Sequence, residues 1–182
     1  MTTKTFIERV RGPSEARVTI EVIPLPEGPQ ASPAPSQGLS GWSFSRRSLD
    51  NLKGVHKDLQ ALAHRALELS PVDFTIIDGV RTREEQRELV NSGASQTMNS
   101  RHLTGHAIDV APYVDGAISW DWEDYYPMAD AFIQAAKELA IKIRWGGNWQ
   151  VNDVRTWKGT ARELNAQYDG SFPDGPHWEI PR

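Results

Sequence analysis

SRHLTGHAIDV, residues 100–110, and SFPDGPHWEI, residues 171–180, concentrate side chains that hold divalent metals. The first brings His102, His106 and Asp109; the second brings Asp174, His177 and Glu179. Imidazole nitrogen and carboxylate oxygen both bind zinc, at about 2.0–2.2 Å. His102, Asp109 and His177 would supply two histidines and one carboxylate, leaving a fourth tetrahedral position for water, as in catalytic zinc sites. A turn at Thr104-Gly105, where glycine permits tight geometry, would bring His102 back toward Asp109. Zinc lowers the pKa of its water toward about 7, and a carboxylate near the metal but not bound to it takes the proton. Asp174, three residues before His177, suits that role; Glu179, on the same strand face as His177, is the rival base. Spacing alone is weak support, because His and Asp fall close together by chance and Asp174 also fits a Pro-Asp-Gly turn.

Attack on an amide carbonyl builds negative charge on its oxygen, which a positioned cation stabilises. Arg81, in IIDGVRTREEQ, follows a strand pattern and precedes a helix pattern, a place from which its side chain reaches across a cleft. The plainer reading is a surface ion pair with Asp78 or Glu85. Arg83 and Arg87 read as solvated helix residues, and His56 and His64 as solvated on a helix's polar side. His106 reads as a strand residue or a cleft wall. Trp145 and Trp178 adjoin the motifs and are expected to line the cleft and touch substrate, although tryptophan is more often a core residue.

The elements that must position these groups follow from periodicity. Leu52, Val55, Leu59, Leu62, Ala66 and Leu69 recur at three and four, predicting one amphipathic helix over 48–70. VDFTII (72–77) predicts a strand, and Thr82 with Glu85 predicts a capping box opening a helix that runs to Gly93. ASQTMNSRHLTG reads as a loop leading into the strand HAIDVAPYV, with Ala107, Asp109 and Ala111 on one face and Ile108 and Val110 on the other. After a turn at Asp115-Gly116 come a helix over about 125–140, a strand IKIRW (141–145), a helical turn at ARELN and a last strand HWEI (177–180). Helices and strands alternate without a βαβ repeat or a glycine-rich phosphate loop, so the expected class is α+β, a small antiparallel sheet flanked by helices. Ahead of this main domain, 42–182, the pattern predicts a β-hairpin over 1–23 and a linker over 24–41 with five prolines and three glycines.

Composition removes several chemistries. The 182 residues contain no cysteine, which excludes disulfides, iron–sulfur clusters, thiolate zinc sites and cysteine nucleophiles. A net charge of −4 gives no reason to expect a nucleic-acid partner. No stretch has the length and apolarity of a membrane span, and the charged start lacks the apolar core of a signal peptide, so synthesis in the cytosol is expected. A monomer is expected, with self-association through residues 1–23 as the alternative.

SRHLTGHAID, DGPH, DGVRT and RWGGNW, in that combination, resemble the zinc D-Ala-D-Ala carboxypeptidase and dipeptidase family, VanY-like proteins of the Hedgehog/DD-peptidase fold. The phage branch of that family is the L-alanyl-D-glutamate endopeptidase endolysins. The resemblance covers residues 42–182 and implies that His102, Asp109 and His177 hold Zn²⁺. It implies that Asp174 is the base, that Arg81 contacts the scissile carbonyl and that Ser100 lies near substrate. The substrate implied is bacterial peptidoglycan, cleaved between L-Ala and D-Glu during host lysis after holin-dependent release from the host cytoplasm. The alternatives are a D-Ala-D-Ala carboxypeptidase or dipeptidase, and a non-catalytic zinc-binding interaction domain like that of Hedgehog. The stretch from Trp149 to Asp174 is longer than in the smallest endolysins of this kind, and residues 1–41 have no counterpart in the pattern.

Overall fold

A computed structural model describes residues 41–182, all within the unit Pro35–Arg182. The hairpin expected over 1–23, and the linker up to residue 40, lie outside the described residues. Helices α1 (Arg46–Asn51) and α2 (Lys57–Leu69) lead into strand β1 (Phe74–Asp78) and helix α3 (Arg83–Asn91). Then come β2 (Ala107–Val114), β3 (Ala117–Ile118), α4 (Trp122–Glu138), β4 (Arg144–Trp145), α5 (Ala161–Ala166) and β5 (His177–Glu179). The sheet is antiparallel with strand order β1-β2-β5-β4, and β3 folds back on β2 through Asp115-Gly116, both at positive φ. The α+β architecture expected from the sequence is the one observed.

The register of the sheet sets the site. Asp109 on β2 stands opposite His177 on β5 and, after a bulge between Ile76 and Asp78, opposite Asp78 on β1. Strand alternation sends Ile108, Val110 and Trp178 to the other face, where they meet α2 and α4 in one core with Leu59, Leu62, Met128 and Phe132. Phe132 stacks on Trp178 at 4.5 Å between centroids, and Trp178 on Trp145 at 5.6 Å. Such aromatic pairs contribute about 0.5–1.5 kcal/mol beyond the area they bury. The same stack corrects the expectation that Trp145 and Trp178 line a cleft. Both are 0% exposed, because residues adjoining His177 and Gly146 along a strand point to the opposite face.

Two other elements differ from the periodic reading. The helix expected over 48–70 is interrupted: the chain turns at Gly54 (φ +79), and the His56 ring restarts the helix by accepting the Asp58 N–H at 3.3 Å. Apolar spacing continues through the break because both helices pack on the same core. Of IKIRW, only Arg144 and Trp145 join the sheet, since β5 is three residues long and pairs them with Glu179 and Trp178. Asp121 caps α4 by accepting from the Glu123 N–H, so that helix starts earlier than the expected 125. The capping box of Thr82 and Glu85 is present as read.

Edge strand β1 is covered rather than left to solvent. Ser48 accepts from the Ile76 N–H at 3.2 Å, and the Asn51 amide donates to the Ile76 carbonyl at 2.8 Å. These side chains of α1 satisfy backbone groups that an open edge would present to another chain. The closeness extends to Gly79, where an added Cβ would lie 1.9 Å from the Asn51 carbonyl oxygen. Gly79→Ala is therefore expected to cost about 1–3 kcal/mol, the usual penalty of overpacking. Urea unfolding measures this directly, and an unshifted midpoint would show that α1 does not press on this peptide.

Candidate metal centre

Three side chains from three places in the chain converge. His102 rides on a 3-10 turn, Arg101–Thr104, that opens with the Ser100 hydroxyl accepting from the His102 N–H and closes at Gly105 with φ +67. Its Nε2 lies 3.2 Å from Asp109 Oδ1 and 3.2 Å from His177 Nδ1, and His177 Nδ1 lies 3.1 Å from the same Asp109 oxygen. Ligands about 2.05 Å from a tetrahedral ion are about 3.3 Å apart, so the three atoms are spaced as the edges of a zinc coordination polyhedron.

The outward nitrogens fix the tautomers. His102 Nδ1 faces the Gly79 carbonyl at 2.6 Å, which can only accept, so the proton resides there and Nε2 turns its lone pair inward. His177 Nε2 faces Glu179 at 3.1 Å and donates to that carboxylate, leaving Nδ1 free. Glu179 is held in turn by Arg144, which sits over Trp149, and the Trp149 ring is 5.1 Å from that of His177. Partners of this kind orient metal-bound histidines and raise their basicity. Glu179, the rival base in the sequence, is thus engaged in holding His177. Trp149, not Trp145 or Trp178, is the tryptophan beside the cluster. Strand alternation about His177 is the signal that separates Trp178 from it; a turn of Gly146–Asn148 carries Trp149 back, which spacing does not disclose.

Arg81 joins the same cluster. Its guanidinium bonds the Asp109 carboxylate and donates to Asp78 at 2.5 Å and Gln86 at 3.4 Å, with 12% of the side chain exposed. The ion pair with Asp78 that the sequence offered as the plainer reading is present, and Glu85 is committed to its cap. Rather than crossing open space, Arg81 is braced against the Asp109 carboxylate. Asp174 is half-buried behind the cluster, its N–H donating to the Gly146 carbonyl at 2.9 Å. His106 is turned away, its Nδ1 donating to the Thr104 carbonyl and its ring packed on His56 at 5.1 Å. His64 is exposed as expected, edge-on to Phe44.

Electrostatics favour a bound cation here. Burial would push Asp109 up, but the neighbouring imidazoles of His102 and His177 outweigh it and hold the carboxyl well below its ordinary range. Burial raises the Asp174 carboxyl, and the charge of Asp109 raises it further, so two carboxylates of one site are pushed apart. The Tyr125 hydroxyl is buried without a hydrogen-bond partner among the described residues, and the charges of Asp174 and Asp109 add to burial in raising it. A donor set of two oriented imidazoles and an ionised carboxylate, with an unpartnered hydroxyl feeling both acids, fits a divalent metal and the water it carries.

His177 makes this testable by pH. Burial alone would lower it, yet Asp109 and Glu179 raise its pKa to about 9, above the unfolded value of about 6.5. Its contribution to stability in metal-free protein is full below about pH 6.5 and is lost as pH rises through about 9. Zinc takes the neutral ring and releases that proton, so its binding tightens over the same range. The urea midpoint of chelated protein is expected to fall between pH 6.5 and 9, and that of zinc-saturated protein to hold or rise. Parallel curves would contradict the shared site.

Comparison with known proteins identifies the family. Residues 40–180 match the family described as phage L-alanyl-D-glutamate peptidase. The L-alanyl-D-glutamate peptidase of Escherichia phage T5 is 44% identical over 115 residues, 61% of this chain and 84% of that protein. The L-alanyl-D-glutamate peptidase of Listeria phage A118 is 36% identical over 110 residues, 58% of this chain but 38% of that protein. The crystal structure of the Serratia marcescens L-Ala D-Glu endopeptidase ChiX matches with a TM-score of 0.59 at 40% identity, covering 75% of this chain and 87% of that one. The chain belongs to the phage L-alanyl-D-glutamate peptidase family.

Proposed function

We propose that this protein is a zinc-dependent endolysin that hydrolyses the L-Ala–D-Glu amide of peptidoglycan stem peptides. The observation that carries the reading is the spacing of His102 Nε2, Asp109 Oδ1 and His177 Nδ1, each imidazole held from behind by a fixed acceptor. Zn²⁺ bound by these three residues would supply a Lewis acid for the amide carbonyl and a water acidified toward about pH 7.

The remaining work falls to the protein's own groups. Asp174, its carboxyl raised by burial and by Asp109, accepts a proton from the attacking water and returns it to the departing amine of D-Glu. Arg81 has five N–H donors; Asp78, Gln86 and Asp109 occupy three of them, which leaves donors for the developing oxyanion. Ser100 positions His102 and borders the same side of the site as Arg81. Among the described residues no helix is long and apolar enough to cross a membrane. Release to the wall through the phage's holin belongs to the same reading.

Removal of the base and removal of a ligand separate the roles. Asp174→Ala is expected to keep zinc while losing about 10²–10⁴-fold in turnover, the range of general acid–base catalysis. His177→Ala is expected to lose both metal and activity. Full turnover in the first variant would exclude Asp174 from proton transfer. Mass spectrometry of digested peptidoglycan identifies the bond: new N-terminal D-Glu supports the endopeptidase, and released D-Ala would move the protein to the carboxypeptidases. Lysis of purified walls that is insensitive to a chelator would contradict the zinc mechanism.

A further inference from the structure

A groove of about 630 Å³ is lined by Arg81, which bonds Asp109, and by Ser100, which accepts from the His102 N–H, together with Met98, Leu103, Arg83 and Arg182. Among the described residues no aspartate or glutamate lines it, although the chain as a whole carries a net charge of −4. Its three arginines differ in their commitments. Arg81 is tied to Asp78 and Asp109, whereas Arg83 has no ion pair among the described residues, and Arg182 donates only to the neutral Asn99, at 2.6 Å to its side-chain oxygen and 3.4 Å to its backbone. Arg83 is moreover the first residue of α3, where a positive charge opposes the helix dipole. Of the first-turn acids that offset it, Glu85 is taken by the capping box. Among the described residues neither guanidinium therefore has its charge met by an acid, and that of Arg182 is held in place by Asn99 alone. Arg182 lies two residues past the stretch that matches the family, at residues 40–180.

We propose that Arg83 and Arg182 are specificity-determining residues that bind the free carboxylate of the substrate's D-Glu residue. This rests on the endopeptidase reading above. D-Glu has two carboxyl groups; one continues the peptide, and the other stays ionised at neutral pH, a few bonds from the scissile nitrogen. With the carbonyl beside Arg81, the leaving side of the substrate extends along the groove, where Met98 and Leu103 offer apolar surface to its methylenes. A planar guanidinium matches a carboxylate bidentately, and a charge-assisted pair of this kind discriminates about ten- to hundred-fold against a neutral isostere.

Two synthetic stem peptides test this with the full-length zinc enzyme, one bearing the free D-Glu carboxylate and one with that group as a primary amide. Wild type is expected to favour the acid at least about ten-fold, chiefly in KM, with the preference shrinking as salt rises. Arg83→Gln and Arg182→Gln are exposed substitutions, each expected to reduce the preference, and the double variant to abolish it. Their loss in kcat/KM should be larger on the acid than on the amide. Equal cleavage of the two peptides by wild type, or an unchanged preference in the double variant, would overturn the assignment and leave the endopeptidase reading standing. Failure to cut either peptide at L-Ala–D-Glu would overturn both.

Discussion

The pairing of β2 with β5 in a single register is the constraint on which the rest of this structure depends. It sets Asp109 beside His177, and it sends Trp178 to the opposite face. A slip of one residue would exchange the faces, placing an indole among the ligands and an imidazole in the core. The stack of Phe132, Trp178 and Trp145 holds that register from the core side. On the other side, the cross-strand contact of Asp109 with His177 holds it with charge. Packing and chemistry thus select the same alignment, which is the consistency across levels that a well-specified fold shows.

From that alignment the electrostatics follow. Asp109 accepts from Arg81 and lies 3.1–3.2 Å from both imidazoles, so its charge is balanced in place and its carboxyl stays ionised. Glu179 is likewise balanced, between His177 and Arg144. Asp174 has no such partner among the described residues and is pushed upward by burial and by its acidic neighbour. Environments that divide like groups this way are what the proposed division of tasks requires, one carboxylate to hold a metal and one to exchange protons. The Tyr125 hydroxyl, buried and without a hydrogen-bond partner among the described residues, feels the charge of Asp174 and Asp109.

The three residues that the fold brings together, His102, Asp109 and His177, stood out in the sequence because of recognisable neighbours: Ser100 and Gly105 around His102, and Asp174-Gly175-Pro176 ahead of His177. The strand carrying Asp109 and the capping box before α3 were legible for the same local reason. What depends on the third dimension was less so. Trp145 and Trp178 adjoin the motifs in sequence but face away from them, whereas Trp149 returns beside His177 through a short turn. Glu179 reads from spacing as a base, yet the reach of Arg144 from the next strand makes it a support for His177. The break between α1 and α2 is hidden because both helices keep one apolar stripe toward the core. No local pattern announces that Gly79, far ahead in the chain, presents the carbonyl that orients His102.

The central claim is that two imidazoles and one carboxylate of this chain hold a single zinc ion with a position left for water. X-ray absorption spectroscopy at the zinc edge of the purified, zinc-loaded protein tests it most directly. The account predicts a four-coordinate ion with two imidazole nitrogens and two oxygen ligands at about 2.0–2.2 Å, an imidazole-bound ion being lost from His102→Ala as from His177→Ala. A six-oxygen shell, or an imidazole count unchanged by either substitution, would contradict it.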